Sequence, residues 1–312
     1  MFSIKKKNKK VNINRLNIIL IIIIIILMII IFFLIIRTKN KNFDNNFTEE
    51  YNQTISSNNI YKPKIIAITY SNGFFQNQAD LNKKSALEVG KVDEHYIFGP
   101  DDIDQEFKEK NKEIFSKSRG NGLWLWKPYL IYKTFKEKLR GGDYLIYTDA
   151  GVLYMNSTYL LIDFLKEQNA EMWINRMFLK EGIYSKRDAF ILMGVDMPFY
   201  SETYQYLAAM QIYRKSKYTE KFLEEYLFYS QDIRIVSDNP NKLGLENYKG
   251  FKENRHDQTV LSLLIKKYGE ANSGNPTLKP DEINNGKHII MPHIFCHYRR
   301  LKFQDYEDLR EK

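Results

Sequence analysis

The chain has 312 residues, a single cysteine and a formal net charge of +9, so it can fold as one large α/β domain or two small ones and cannot form an intrachain disulfide. The charge is confined to the N-terminus: residues 1–41 hold nine basic residues and no acidic one, and subtracting these nine from 47 leaves 38 basic residues against 38 acidic ones. Because a nucleic-acid-binding protein needs a net basic surface, the neutral remainder argues against that class.

The first element is an uninterrupted apolar run from Ile18 to Ile36. A helix of about 20 apolar residues crosses a hydrocarbon core of about 30 Å. A cleaved signal peptide has a shorter apolar region and ends at small residues, which the sequence Arg37-Thr38-Lys39 does not provide. The run therefore predicts a transmembrane signal-anchor over residues 17–36.

The residues that flank this span predict its orientation. Six basic residues precede it and three follow it closely, a bias that favours a cytoplasmic N-terminus and a C-terminal domain on the far side. Residues 37–60 are rich in Asn, Ser and Lys and are typical of a flexible stem. We therefore expect a single-pass type II protein with a cytoplasmic basic tail over 1–16 and a globular domain over 61–312.

The first half of this domain alternates strand and helix patterns. Apolar runs bounded by turn residues predict strands, and charged amphipathic stretches predict helices. The predicted order is a strand Lys64–Tyr70, a helix over 80–89, a strand His95–Phe98, a helix over 101–117, a helix Lys127–Leu139, and a strand that ends at Asp149. This order predicts an α/β fold with a parallel or mostly parallel sheet flanked by helices.

The second half is expected to be more helical. Amphipathic patterns predict helices over Ser201–Lys215, Thr219–Tyr229 and Asp257–Tyr268. A short strand is predicted over Ile233–Val236, and a last strand within Gly286–Tyr298.

A segment rich in glycine and tryptophan, Arg119-Gly120-Asn121-Gly122-Leu123-Trp124-Leu125-Trp126-Lys127-Pro128, precedes the third predicted helix. Glycines let a backbone approach a ligand closely, and Arg119 and Lys127 are suited to neutralising a diphosphate. The amides at the following helix start favour anions, and either tryptophan can stack on a sugar or base. The alternative is a loop whose buried tryptophans fix the start of the helix.

A strand over Tyr144–Thr148 delivers Asp149 into an Ala-Gly turn. The carboxyl ends of strands are where α/β sheets place ligands. The carboxylate is a candidate ligand for the divalent cation that usually accompanies a diphosphate. The alternative is a turn aspartate whose side chain binds backbone amides.

Two later clusters carry further candidates. Glu253-Asn254-Arg255-His256-Asp257-Gln258 stands before an apolar helix, where Asp257 can act as a helix cap or, with Gln258, face a sugar. His297 is a candidate metal ligand, and the Arg299 that follows can hold phosphate.

Together, the early strand, the Trp-Leu-Trp-Lys-Pro sequence, the Asp149 turn and the His-Asp-Gln helix start resemble the GT-A class of nucleotide-diphospho-sugar glycosyltransferases over roughly residues 64–300. The resemblance implies a GT-A-like, Rossmann-type mixed sheet. It also implies a nucleotide-sugar donor, usually Mn²⁺ or another divalent cation, and transfer to a hydroxyl acceptor on a glycan, glycoprotein or glycolipid.

The same resemblance implies roles for particular residues, which we keep as predictions. Catalytic roles fall to Asp149, Asp257 and Gln258, with Asp257 as base in an inverting enzyme, and metal binding to Asp149 and His297. Six residues are predicted to bind the donor. Thr69 and Tyr70 end the first strand, Arg119, Trp126 and Lys127 belong to the tryptophan segment, and Arg299 lies in the C-terminal tail.

One position departs from the class. The usual motif is Asp-x-Asp, and here Gly151 stands where the second Asp is expected, while in the other register Tyr147 replaces the first. The missing carboxylate leaves the metal in question and favours a rival function, a membrane-tethered carbohydrate-binding domain without catalysis. A methyltransferase is disfavoured because no glycine-rich turn follows Ile68.

If the organism is eukaryotic, the type II layout predicts a Golgi or endoplasmic reticulum membrane with a lumenal catalytic domain.

Overall fold

The structure is a computed structural model that describes residues 61–269 and 294–297. The predicted tail, transmembrane helix and stem, residues 1–60, lie outside the described residues. Among the residues that are described, no helix is long and apolar enough to cross a membrane.

The described residues form seven strands, in chain order β1 Ile65–Tyr70, β2 Glu94–Phe98, β3 Tyr144–Thr148, β4 Val152–Tyr154, β5 Met172–Lys180, β6 Tyr204–Arg214 and β7 Phe295–His297. Five of them make one sheet in the order β2-β1-β3-β6-β5, and β4 pairs with β7 in a separate ribbon. Strand β1 is parallel to both β2 and β3, whereas β6 is antiparallel to both β3 and β5. Four of the five strands therefore run in one direction, which confirms the predicted mixed, mostly parallel sheet.

Helices connect and cover these strands. They are α1 Gln76–Glu88, α2 Gln105–Lys110, α3 Lys112–Phe115, α4 Trp126–Lys138, α5 Tyr159–Glu167, α6 Glu181–Tyr184, α7 Arg187–Leu192, α8 Pro198–Ser201, α9 Lys217–Ser230, α10 Ile233–Val236 and α11 Asp257–Lys267, with a 3₁₀ turn at Pro100–Asp102 and a tight turn at Gly120–Leu123. Helices α1 and α4 lie in the crossovers that parallel strands require.

The sheet separates two apolar cores. Side chains alternate between the faces of a strand, so Ile66 and Ile68 of β1 join one core and Ile65 and Ala67 join the other. The first core includes residues of α4, α9 and α11, and the second includes residues of α5 and β4. Both faces of the central strands are covered, which explains why these strands are continuously apolar.

Two predictions from sequence periodicity are wrong. The segment Ser201–Lys215 was expected to be a helix but contains β6, where Ala208 and Ala209 are buried between two neighbouring strands. A central strand covered on both faces shows no alternation, and its ladders outweigh the helical preference of alanine. The predicted strand Ile233–Val236 is the short helix α10, because the Asp232 carboxylate accepts a hydrogen bond from the backbone N–H of Arg234 at 2.9 Å.

The helix predicted over residues 101–117 is divided into α2 and α3 after a 3₁₀ turn. Asn111 lies between α2 and α3 with φ −112° and ψ 27°, outside helical geometry. Its side-chain amide donates to the Phe107 carbonyl at 3.0 Å, a local bond that competes with continued helix.

Candidate active site

Asp149 lies where the sheet presents its parallel strand ends. It directly follows β3, whose neighbour β1 runs in the same direction and ends at Tyr70. The Val152 N–H donates to the Asp149 carbonyl at 3.0 Å, which closes the predicted tight turn. The Asp149 side chain is 30% exposed, so it is accessible at the carboxyl edge of the sheet.

A cavity of ≈ 590 Å³ opens at this edge, within the size range of small-molecule sites. Its lining combines aromatic side chains, uncharged polar side chains, small residues and one carboxylate: Tyr70, Phe75, Trp124, Trp126 and Tyr147; Asn72, Gln78, Ser118 and Asn121; Gly120, Ala150 and Gly151; and Asp149. Asp149 is thus the charged residue among the described lining residues. Aromatic faces with hydroxyl, amide and carboxylate groups suit a ligand that has apolar ring faces and many hydroxyls.

The Asp149 carboxylate is held by a buried polar chain. Its Oδ1 accepts a hydrogen bond from the Tyr147 hydroxyl at 2.6 Å and lies 3.2 Å from Lys127 Nζ. The same ammonium lies 3.1 Å from Oδ2 of Asp257, which accepts a longer bond from Tyr226 at 3.4 Å. Lys127, with a side chain only 4% exposed, therefore bridges two carboxylates from different parts of the chain.

Burial and neighbouring charges set the protonation of the side chains in this polar cluster. Burial alone lowers the pKa of Lys127, but the charges of Asp149 and Asp257 outweigh burial and hold it above its usual range. Burial, and after it the charge of Asp149, raises the pKa of Tyr147 well above its usual value, so its phenol remains a neutral donor. Burial raises the pKa of Asp257, with Lys127 opposing that shift.

The tryptophan segment forms part of the cavity wall in an unusual backbone conformation. Five consecutive residues have positive φ angles between 51° and 90°: Gly120, Asn121, Gly122, Leu123 and Trp124. A left-handed conformation costs non-glycine residues about 1 kcal/mol or more each. Contacts fix it here: the indole N–H of Trp126 donates to the Gly120 carbonyl at 2.9 Å, and Trp126 stacks on Tyr70 at 3.8 Å between ring centroids.

The ring of Trp124 is also held in place. It stacks on His256 with centroids 5.0 Å apart, and His256 itself has the strained angles φ 54° and ψ −118°. The buried His256 Nδ1 lies 2.6 Å from the Val236 carbonyl, so Nδ1 carries the proton and donates. Strained residues in contact, next to a cavity, are typical of a preformed binding site.

A Gly120→Ala substitution is expected to weaken ligand binding at least tenfold and to destabilise the fold by about 1–2 kcal/mol. A Cβ atom at Gly120 would stand 2.3 Å from the Trp124 ring, in a backbone with φ +61°. Gly141→Ala is the matched control, because a Cβ there meets nothing within 4 Å. Ligand titration and urea unfolding of both variants measure the effect, and equal behaviour would contradict a rigid wall at Gly120.

A second buried network supports the Asp149 turn from behind. The Asn82 amide nitrogen donates to Thr148 Oγ1 at 2.8 Å and to the Val152 carbonyl at 2.6 Å. Because both amide hydrogens are used, its oxygen accepts from His95 Nε2 at 2.7 Å. His95 is therefore the neutral Nε2–H tautomer, and burial lowers its pKa to about 3.

This shift predicts pH-dependent stability. Unfolded His95 binds a proton near pH 6.5 but the folded side chain only near pH 3, so stability is present above pH 6.5 and is lost as the pH falls. From pH 7.5 to pH 5, His95 is expected to remove about 2 kcal/mol from the free energy of unfolding. His95→Gln keeps a neutral donor for Asn82. The difference between wild type and this variant in urea unfolding therefore isolates the contribution of His95 to the pH dependence. An equally steep pH dependence in the variant would contradict the assignment.

The structure brings several predicted residues together and separates others. Tyr70 and Trp126 line the cavity, whereas Thr69 does not. Lys127 contacts both Asp149 and Asp257 and is buried with Asp257. The buried Thr69 hydroxyl instead donates to the Thr148 carbonyl at 2.7 Å and joins the ends of β1 and β3.

The remaining predicted residues are not among the residues that line the cavity, or they lie outside the described residues. Arg119 pairs with Asp238 at 3.2 Å. Gln258 is buried, and its amide accepts from Ala208 N at 3.2 Å and donates to the Gln205 side chain at 2.8 Å. The backbone of His297 pairs with Val152, close to Asp149 in sequence. The His297 side chain and Arg299 lie outside the described residues.

Sequence reasoning missed several residues of the lining. Asn72, Phe75 and Gln78 follow β1, where the sequence indicated only a turn and a helix. Tyr147 was recognised only as a substitute for an aspartate. A signal for it existed, because positions two apart on a strand share a face, and Tyr147 and Asp149 are two apart.

The described donor set does not fit a divalent cation. Hard cations require several oxygen ligands, but Oδ1 of Asp149 is already contacted by a phenol and an ammonium, and Gly151 supplies no second carboxylate. Within residues 61–269 and 294–297, no group of three or more His, Cys, Asp or Glu can hold a metal. Unit charges 4 Å apart interact by about 4 kcal/mol at an effective dielectric of 20, so Lys127 would repel a divalent ion there by about twice that amount.

No protein-family model and no curated protein matches the sequence. Among solved structures, the apo form of mouse xyloside xylosyltransferase 1 is similar, at 9% identity and a TM-score of 0.40 over 76% of this chain and 97% of that chain. The galactosyltransferase LgtC matches at 11% identity and 0.39, over 76% and 87%. The bifunctional glycosyltransferase WbbM matches at 9% identity and 0.38, over 66% of this chain and 38% of its own. At such low likeness, the chemistry of the cavity itself carries the functional proposal.

Proposed function

We propose that this chain is a glycosyltransferase that binds a nucleotide sugar in the cavity at the ends of β1 and β3 and transfers the sugar to a hydroxyl acceptor. One observation carries the proposal: β3 delivers a single carboxylate, that of Asp149, into a cavity lined by aromatic and uncharged polar side chains. Sugar rings offer apolar faces for aromatic contact and hydroxyls for the carboxylate. The parallel strand ends place this cavity where α/β sheets bind ligands.

In the proposed reaction, the acceptor oxygen bonds to the anomeric carbon, the bond from that carbon to the diphosphate oxygen breaks, and the acceptor proton passes to a base. Asp149 is the carboxylate that reaches the cavity, so it binds and orients sugar hydroxyls and is placed to take that proton. Asp257, the candidate base from the sequence, lies behind Lys127 and holds its ammonium in place.

Donor binding tests the function directly. The full chain, purified in detergent, is mixed with a panel of UDP, GDP and CMP sugars, and its thermal midpoint is recorded. A true donor raises the midpoint, because a ligand of the native state stabilises it by mass action, and nucleotide release then reports turnover. If no nucleotide sugar shifts the midpoint or releases nucleotide, the enzyme proposal fails.

A carbohydrate-binding domain without catalysis is the second candidate. It is favoured because none of the described residues that line the cavity is a cation able to neutralise a diphosphate. Such a domain would bind free oligosaccharides and ignore the nucleotide, whereas a transferase binds UDP or GDP alone. Titrating each component separately discriminates between the two.

We further propose that residues 17–36 anchor the chain in a membrane as a type II protein, in the Golgi or endoplasmic reticulum if the cell is eukaryotic. The long apolar run and the excess of basic residues before it support this. Resistance to extraction at alkaline pH, with the C-terminus protected from added protease in sealed vesicles, is the expected result. Release of the chain by alkaline carbonate would overturn the anchor.

A further inference from the structure

The ammonium of Lys127 is a permanent part of the site. A lysine ammonium has three N–H donors, and three acceptors surround this one: Asp257 Oδ2 at 3.1 Å, Asp149 Oδ1 at 3.2 Å and the Ala208 carbonyl at 3.4 Å. The ammonium also lies 5.2 Å from the centre of the Tyr147 ring. Because all three donors have acceptors and the side chain is buried, the ammonium is held in the protein interior.

The backbone that carries Lys127 is equally constrained. Lys127 follows Trp126, whose ring is fixed by stacking on Tyr70 and by its bond to Gly120. Pro128 comes next, in the first turn of α4, where its fixed φ suits the helix start. The position of the ammonium relative to Asp149 therefore does not depend on a flexible side chain alone.

A divalent cation at Asp149 would have to share Oδ1 with this ammonium. The other half of a two-carboxylate motif is absent, because the residue two positions later is Gly151. The second carboxylate near the ammonium, Asp257, reaches it from α11 on the buried side. The two carboxylates thus already enclose one cation, supplied by the chain itself.

We propose that the Lys127 ammonium takes the place of a divalent cation at Asp149, so that this carboxylate receives ligand hydroxyls and the ligand binds without metal there. The identity of the ligand rests on the proposed function, whereas the claim about the metal does not. Lys127 acts as a positioning residue, because it orients Asp149 and does not line the cavity.

Manganese titration of the full, untagged chain, followed by electron paramagnetic resonance, tests the metal claim without any activity. Wild type is expected to show no Mn²⁺ site that depends on Asp149, so Asp149→Asn leaves the titration unchanged. Lys127→Ala leaves two facing carboxylates without a cation, and we expect it to bind Mn²⁺ at least tenfold more tightly than wild type. Adding Asp149→Asn to that variant should abolish the gain.

Lys133→Ala is the matched control, since Lys133 belongs to the same helix but pairs with Asp104 at the surface; it should titrate like wild type. One equivalent of Mn²⁺ bound by wild type and lost in Asp149→Asn overturns the proposal, and so does a folded Lys127→Ala chain without the gain. If Lys127→Ala does not fold, the wild-type and Asp149→Asn titrations decide alone.

A second measurement separates this inference from the proposed function. The dissociation constant of a nucleotide sugar is expected to agree within twofold in EDTA and in Mn²⁺. A tenfold or larger improvement by Mn²⁺ that Asp149→Asn abolishes counts against the inference and leaves the transferase proposal intact. If no nucleotide sugar binds in either buffer, the transferase proposal fails. The manganese titration then still tests whether the Lys127 ammonium replaces a divalent cation.

Discussion

An Asp149→Asn chain is expected to fold normally and to lose donor turnover by about 10²–10⁴-fold, the range typical of a positioned acid–base group. Asn keeps the size of the side chain and hydrogen-bonding atoms but removes the charge that is held between Tyr147 and Lys127. Its amide neither accepts a proton nor orients sugar hydroxyls as a carboxylate does. Nucleotide release under saturating donor measures the loss.

The matched control is Asp163→Asn, which changes an exposed aspartate of α5 that pairs with Lys166 three residues later. It should retain wild-type turnover. Circular dichroism and the thermal midpoint confirm that both chains fold. An Asp149→Asn chain with more than a tenth of wild-type turnover would remove Asp149 from the chemistry and leave it as a turn residue.

The second large effect concerns stability. Lys127→Met should lower the free energy of unfolding by about 3–5 kcal/mol, the usual cost of removing one partner from a buried ion pair. Methionine fills nearly the same volume, so the loss reports the charge rather than a cavity. Asp257 is then buried without its cation, and Asp149 loses its contact with the ammonium.

Combining Lys127→Met with Asp257→Asn is expected to recover at least half of that loss, because the second change removes the uncompensated charge. Lys136→Met is the control on the same helix, where the lysine pairs with Glu220 at an exposed site. Exposed pairs contribute about 0–1 kcal/mol, so this variant should unfold close to wild type in urea. Equal losses in the two single variants would show that burial of the Lys127 pair is not what matters.

The sequence predicted the part of the site at the end of β3 better than the buried contacts beneath it. A strand that delivers Asp149 into a turn could be read directly, because both features depend on neighbouring residues. The pairing of Lys127 with Asp149 and Asp257 could not, since these residues are far apart in the chain and meet only through packing. In the sequence, Lys127 indicated diphosphate binding, whereas in the structure its ammonium is fully used by protein acceptors.

The errors in secondary structure have a related origin. β6 has the composition of a helix, and only its place between two strands makes it extended. Ile233–Val236 has the composition of a strand, and one cap from Asp232 makes it helical. In both cases, the apolar pattern of the segment alone was misleading, because distant strands make β6 extended and a cap from the preceding residue makes Ile233–Val236 helical.

The order of strands in the sheet also bears on how the protein matures during synthesis. β5 leaves the ribosome before β6, yet β6 is its partner in the sheet and lies between β5 and β3. A nascent chain that stops short of β6 therefore exposes β5 unpaired and lacks the Ala208 and Ala209 carbonyls that bond Lys127 and the Asp149 amide. A pause in translation after β5 has emerged from the ribosome and before β6 has emerged should thus leave a nascent intermediate that engages chaperones and has no formed site. The site assembles only after the antiparallel strand β6 has been inserted.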